Sequence, residues 1–570
     1  MRRLLAGAGA VIALAACTLN ASPAAAADAP YDVLVFSKTA GFRHDAIGVG
    51  IQTVRDLGAA NNFTVTATED ANAFTTANLA QYEAVVFLST TGDVLNASQQ
   101  TAFESYIRSG GGYVGVHAAA DTEYDWPFYG QLVGAWFASH PAIQQVNSKT
   151  ENRAHPATAH LPQTWTRTDE LYNYRTNPRD SARVLATLDE SSYSGGTMGA
   201  DHPITWCKTI DAGRSFYTGF GHTQESYADG NFRNQLLGGI RYSAKRANAD
   251  CRPETGYTAL YNGSTTGWSQ AGPGSFSNSD ATLSSVGGMG LLWYNAKQFT
   301  SYSLKADWRL TGDSNSGIFV GFPNPGNDPW VAVNQGYEVQ IDATDAPDRT
   351  TGSIYTFKSA DLAARDAALN PPGQWNTYEL LVEGQRIRVH LNGTLINDFT
   401  NTDPARNLDG YIGIQNHGDG DQAAFRNIRI KELGGTQQPA NLALNKPATA
   451  SSVENASYPA SAAVDASATT RWSSAFADPQ WIRVDLGATA MISRVRLLWE
   501  AAYGSAYQIQ TSNDGNAWTT VRSVTGGNGG EDDNTGLSAQ GRYVRIYGTT
   551  RGTPWGYSLY NFEVYGVSVR

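Results

Sequence analysis

Cysteine is scarce, with three residues in 570, at Cys17, Cys207 and Cys251. So few leave no basis for redox chemistry and at most one disulfide once a leader is removed. Charge is sparse too. Charged residues make up 16% of the chain, the net charge is −11, and no Lys/Arg cluster exists to neutralise a run of phosphates, which excludes nucleic acid as a partner. Apolar runs long enough to span a bilayer are missing, as are long internal repeats and the close H-E-x-x-H zinc signature. Nothing marks a site for a nucleotide cofactor.

Present instead are 58 Gly, 14 Trp and 28 Tyr, the composition of turn-rich β structure with many ring faces. The length implies roughly three or four domains. Residues 1–27 read as a secretory signal: Arg2 and Arg3, the short apolar run LLAGAGAVIALAA, and a small-residue cleavage site before Asp28. Export is therefore expected. LAAC, ending at Cys17, offers the alternative of a lipoprotein anchored through that cysteine. In an exported chain Cys207 and Cys251 are expected to pair.

From residue 28 to 247, apolar runs such as YDVLVFS, YEAVVFLS and YVGVHAA alternate with helical patterns, predicting βα units on a mostly parallel sheet. Ligands of such sheets bind beyond the carboxyl ends of the strands. His44 follows the first strand, His117 ends a central one and His222 follows RSFYTGF, so three strands deliver imidazoles to one edge. Seven of the nine histidines lie in this region. The stretches FSKTAGFRHDAI, GGGYVGVHAAADT, GAWFASHP, TDELYNY, DHPITW and GRSFYTGFGHT resemble the ThuA-like (trehalose-utilisation) family, a branch of the class I glutamine-amidotransferase-like α/β fold. Amidotransferases of that fold carry a nucleophilic cysteine where this chain has His117, so glutaminase chemistry is not expected. The resemblance implies a carbohydrate-related role, and a pocket is expected from His44, His117, Asp121, His140, Glu170, His202 and His222, with a divalent metal as a candidate.

Between 256 and 434 the period falls to two, as in YSLKADWRL and GYEVQIDA, predicting an antiparallel sandwich. On the strand YEVQID, Glu338, Gln340 and Asp342 share one polar face, which suits a substrate groove. The two carboxylates are four residues apart, roughly 13 Å between α-carbons. Glycosidases hold theirs ~5.5 Å or ~6.5–9.5 Å apart, so the ordinary two-carboxylate mechanism does not follow. The motifs LYNGSTTGW, GDSNSGIFVGF, QWNTYELLVEGQRIRVHLNG and AFRNIRIKEL resemble the 3-keto-disaccharide hydrolase family, a concanavalin-like jelly roll. That resemblance implies another chemistry, in which a carbonyl at C3 acidifies the C2 hydrogen, a base expels the glycosidic oxygen, and water adds back. Glu338, Asp342 or His417 are the candidate bases, with Gln340 and Arg426 orienting the sugar.

After a Gly/Gln/Pro linker at 435–440, residues 441–570 form a second all-β unit. NLALNKPATASS, WIRVDLGATAMISRVRLLWE and RYVRIYGTTRGTPWGYSLYNFEVYG resemble a discoidin-type (coagulation-factor C-type) β-sandwich that serves as a carbohydrate-binding module. The resemblance implies calcium held by Asp465, Thr470 and Glu563. Sugar is expected at Glu500, Tyr503, Arg551 and Trp555, with Trp472 and Trp481 in the core. A secreted enzyme cleaving glycosidic bonds is the reading these parts support together. The alternatives are a non-catalytic adhesin for polysaccharide, or catalysis in the ThuA-like domain.

Overall fold

The computed structural model describes residues 28–433, 441–537 and 539–568. The expected signal sequence with Cys17 and the expected linker at 435–440 lie outside the described residues. The run Tyr31–Phe36 (β1), buried everywhere except Asp32, pairs in parallel with Phe63–Thr68 (β2) on one side and Ala84–Leu88 (β3) on the other. Gly112–Val116 (β4) continues the parallel set. Next in chain order come Gln144–Thr150 (β5), Thr164–Asp169 (β6), Arg183–Leu188 (β7), His202–Ile210 (β8) and Gly213–Thr218 (β9). The nine strands lie in the order β2-β1-β3-β4-β9-β8-β7-β5-β6.

Only five of these strands, β2 to β9 in that order, run parallel; β8, β7, β5 and β6 are joined antiparallel. The expectation of a mostly parallel sheet therefore holds for the first half alone. Residues 144–218 contain no α-helix to carry a parallel crossover, so consecutive strands there return antiparallel. Register sets the functional edge. Val116 stands opposite both Leu88 and Thr218, so three strands end level and the loops bearing His117 and His222 leave together. His117 itself has φ +50°, a left-handed turn that a non-glycine residue adopts only where its surroundings hold it.

The second half of this unit is a sandwich with its core between two sheets. One has five strands in the order Trp268–Ala271, Gly290–Tyr294, Tyr411–Asn416, Asn315–Phe322 and Tyr337–Asp342. The other has eight and includes Tyr302–Leu310, Asn376–Glu383 and Ala423–Glu432. Of the described residues, those up to Leu433 form one compact unit and those from Asn441 a second. Within the first, the sandwich is bound to the α/β part by buried charge. Glu254 contacts Arg183 of β7 at 3.2 Å, Lys305 at 3.1 Å and Arg429 at 2.5 Å, while Asp250 takes the other contact of Lys305 at 3.0 Å. Each of these carboxylates is held below the usual range, because the cations around it outweigh the burial that opposes its charge. Cys251, next to Asp250 in the chain, forms the expected disulfide with Cys207 of β8.

The second unit is built around the long strand Gln480–Trp499, which pairs with Ala539–Arg551 and Ser558–Ser568 over a core containing Trp472. Trp481 is only half-buried and lies under the Arg483 guanidinium.

Candidate functional site

The polar groove expected on the sandwich exists. Glu338, Gln340, Asn315, Gln415 and His417 line a depression of about 190 Å³ with Trp330, Met289, Val333 and Tyr355. Alternation along Tyr337–Asp342 sends Tyr337, Val339 and Ile341 into the core and Glu338 and Gln340 into the groove. Glu338 lies across the neighbouring strand at Gly317, where a β-carbon would overlap its carboxylate. Burial pushes Glu338 up to about 8, with the Gln415 amide beside it pulling the other way. Trp330 stands at the groove with 54% of its surface exposed.

Four buried oxygens in this groove, Glu338 Oε1, Gln340 Oε1, Gln415 Oε1 and Asn315 Oδ1, have no hydrogen-bond partner within the protein. Buried acceptors left unpaired are costly, and a group of them facing one cavity calls for a ligand rich in hydroxyl donors. At the rim, His417 Nδ1 lies 2.8 Å from Asp421 Oδ2, and Asp421 also accepts the Asn315 amide at 2.8 Å. Asn315, Trp330, Tyr355 and Asp421 were not singled out from sequence. Only the sheet order brings their separate segments to Glu338.

Two expected residues lie elsewhere. Asp342 is absent from the groove lining: its oxygens accept the Thr344 and Asp345 amides at 2.9 Å and Asn315 Nδ2 at 2.9 Å, capping the turn that follows its strand. Arg426 belongs to the opposite sheet, through the strand Ala423–Glu432. It donates to Thr282 at 2.6 Å, faces the Arg153 and Ala159 carbonyls and covers the Trp375 ring, so it does not orient a ligand in the groove.

At the edge of the α/β sheet, His44, His117, His222 and Glu170 converge, with one ligand-type atom of each within 4.8 Å of the others. His117 Nε2 is 3.1 Å from His222 Nδ1, and Glu170 Oε2 is 3.4 Å from the first and 3.0 Å from the second. His44 stands edge-on to both rings. Burial and the neighbouring imidazoles lower His44 to about 3. Burial opposes the Glu170 charge, yet hydrogen bonds and charge from His117 and His222 hold it below the usual carboxylate range. His140 reaches the group only through Glu170 Oε1, at 2.9 Å. Asp169, which sequence reasoning passed over, accepts the Glu170 and His222 backbone amides at 3.0 and 3.1 Å and so fixes both loops.

Asp121 and His202 do not join this group. Asp121 accepts the Tyr124 hydroxyl at 2.5 Å and is raised by burial. His202 is enclosed by Glu190 at 2.8 Å, the Tyr172 carbonyl at 2.8 Å and the Tyr193 hydroxyl at 3.0 Å.

In the second unit, Trp555 is 60% exposed and meets the exposed Phe476 edge-on at 5.7 Å. Arg551 donates to Asp478 and to the Trp555 carbonyl, tying the loop down. Tyr503 is half-buried against Gly529 and Gly552, and Glu500 lies 3.7 Å from Arg471. The expected calcium ligands are engaged separately: Asp465 accepts the Thr470 hydroxyl at 2.7 Å, whereas Glu563 pairs with Arg496 at 2.9 Å and Tyr565 at 2.7 Å. No trio of acidic or imidazole donors forms among the described residues of this unit.

These three arrangements define a multidomain protein with an α/β domain, a groove-bearing jelly roll and a discoidin-type module. The chain carries a ThuA domain (trehalose utilisation) at residues 32–243, a 3-keto-alpha-glucoside-1,2-lyase-like domain at 256–431 and an F5/8 type C domain at 447–562, in that order. It is 28% identical over 178 residues to a 3-keto-disaccharide hydrolase of Bacteroides thetaiotaomicron, a match covering 24% of this chain and 60% of that protein. It is 58% identical to chitosan-binding module 1 from a chitosanase/glucanase of Paenibacillus sp. IK-5, covering 22% of this chain and 98% of the module with a TM-score of 0.22. A ThuA-like protein of Bacteroides uniformis is 25% identical, over 39% of this chain and 95% of that one, with a TM-score of 0.35. No helix among the described residues is long and apolar enough to cross a membrane.

Proposed function

We propose that the protein is a secreted carbohydrate-active enzyme that cleaves 3-oxidised glycosides in the sandwich groove and is held on glycan by its C-terminal module. The observation that carries this reading is the Glu338 groove, where a buried carboxyl of raised pKa sits among acceptors that lack partners. A carbonyl at C3 makes the C2 hydrogen acidic, and a base of pKa near 8 is well matched to removing it. Ionised Glu338 takes that proton, the electron pair forms the C1–C2 double bond, and the glycosidic oxygen leaves with a proton from His417 or water. Water then adds across the double bond and completes a net hydrolysis. The likeness of residues 256–431 to the 3-keto-alpha-glucoside-1,2-lyase-like domain family supports this order of events.

Mass spectrometry of products from matched disaccharides, native and oxidised at C3, tests the reading. Release from the oxidised sugar alone is expected. Cleavage of neither sugar would favour an adhesin. Because Gly317 makes room for the carboxylate, Gly317→Ala is expected to lower kcat/KM about 100-fold with the fold retained, as checked by circular dichroism.

For the module, the exposed Trp555 with Phe476 offers a ring face for sugar stacking, with Arg551 and Asp478 beside it. Chitosan oligomers are the first ligands to try, since the name of the module with 58% identity carries that polymer. Trp555→Ala is expected to weaken binding roughly tenfold by isothermal titration.

A further inference from the structure

We infer that His44, His117, His222 and Glu170 hold a divalent transition-metal ion of the zinc type, which gives the α/β domain a metal centre separate from the sandwich groove. Three observations carry it.

The first is the donor set. His117 Nδ1 lies 2.9 Å from the Gly219 carbonyl, which only accepts, so that nitrogen carries a hydrogen and Nε2 is the ring atom turned inward. Nε2 faces His222 Nδ1 at 3.1 Å and a Glu170 oxygen at 3.4 Å. Two imidazole nitrogens and a carboxylate oxygen facing one another are donors that one cation takes together.

The second is spacing. Donors about 2.0–2.1 Å from a tetrahedral zinc ion stand roughly 3.3 Å from one another. The triangle of 3.0, 3.1 and 3.4 Å formed by His117, His222 and Glu170 matches that edge to within a few tenths of an ångström.

The third is the fourth corner. His44 is 5% exposed, its Nδ1 has no hydrogen-bond partner, and its ring stands 4.9 and 5.1 Å from those of His117 and His222. Imidazole with one carboxylate and no thiolate suits zinc and its neighbours rather than a soft monovalent ion.

The surroundings have the form of an outer shell. The Gly219 carbonyl fixes the His117 tautomer, Asp169 fixes the loops of Glu170 and His222, and His140 holds the other Glu170 oxygen. His140 beside Glu170 has a side chain 44% exposed, and Phe42, edge-on to His44, is 68% exposed. A second group, His155 with Cys207 and Cys251, has its sulfurs spent in the disulfide and offers no thiolate.

The test strips the full chain with a chelator and titrates it with Co²⁺, following the visible bands of tetrahedral cobalt and then their loss to Zn²⁺. One equivalent per chain is expected. His222→Ala and Glu170→Gln are expected to lose the bands, while His140→Ala keeps them and weakens binding by no more than about 10–100-fold. Thermal unfolding of each metal-free variant, matched to metal-free wild type, separates a lost ligand from a lost fold. Stripped wild type that takes up no ion, or folded His222→Ala that binds as wild type does, overturns the inference and leaves a proton-sharing cluster. Sugar cleavage is not read, so the result is independent of the sandwich reading.

Discussion

Glu338→Gln is expected to slow cleavage of a 3-oxidised disaccharide by about 10²–10⁴-fold, the usual worth of a positioned general base, with KM little changed. Gln keeps the shape of the side chain and removes only its ability to take a proton. The same substitution carries a second signature. Glu338 is raised from 4.5 to about 8 in the fold, so between those values the unfolded chain has lost a proton that the native state keeps. Native stability contributed by this position therefore falls as pH rises from 4.5 toward 8. The Gln variant does not titrate, and it should gain stability on wild type across that interval, by up to several kcal/mol. Denaturant unfolding of both proteins at the two ends checks this. A catalytic defect without the pH-dependent gain would mean that Glu338 is not buried as described.

Loss of the disulfide is the second large effect. Cys207 and Cys251 are 44 positions apart in the chain, for which the chain-entropy account gives about 4 kcal/mol. The bond anchors the segment that carries Asp250, Arg252 and Glu254 into the sandwich, where Lys305 and Arg429 are buried against these carboxylates. A buried cation left without its partner is strongly destabilising, so loosening this segment exposes more than the loop itself. Cys207→Ser with Cys251→Ser, or reduction under denaturant, is expected to lower the unfolding midpoint of the first unit and leave that of the C-terminal module in place. Equal loss in both units would contradict this assignment.

Much of this was legible in residue patterns. Strand ends predicted the meeting of His44, His117 and His222, because apolar runs that stop at a polar residue mark the sheet edge whatever the later topology. Period-two alternation put Glu338 and Gln340 on one face, and the cysteine pair followed from their number. What failed needed the third dimension. His202 begins a strand at the same edge, but its ring turns to Glu190 and Tyr193, and no one-dimensional pattern records that choice. Arg426 lies eleven residues from Gln415 and nine from His417 on the groove, yet its strand joins the opposite sheet, pairing with Tyr302–Leu310. A sandwich of consecutive strands does not declare in sequence which sheet each one enters. The parallel half of the first sheet was readable from its alternating helices, whereas the antiparallel half lacks them.

The central claim is that ionised Glu338 removes the sugar proton, and the pH–rate profile of the purified full chain tests it most directly. With the uncatalysed rate subtracted, kcat/KM for a 3-oxidised disaccharide should rise about tenfold per pH unit below 8 and level off above it, as a base of that pKa requires. A profile that is flat or falls through this interval would contradict the account.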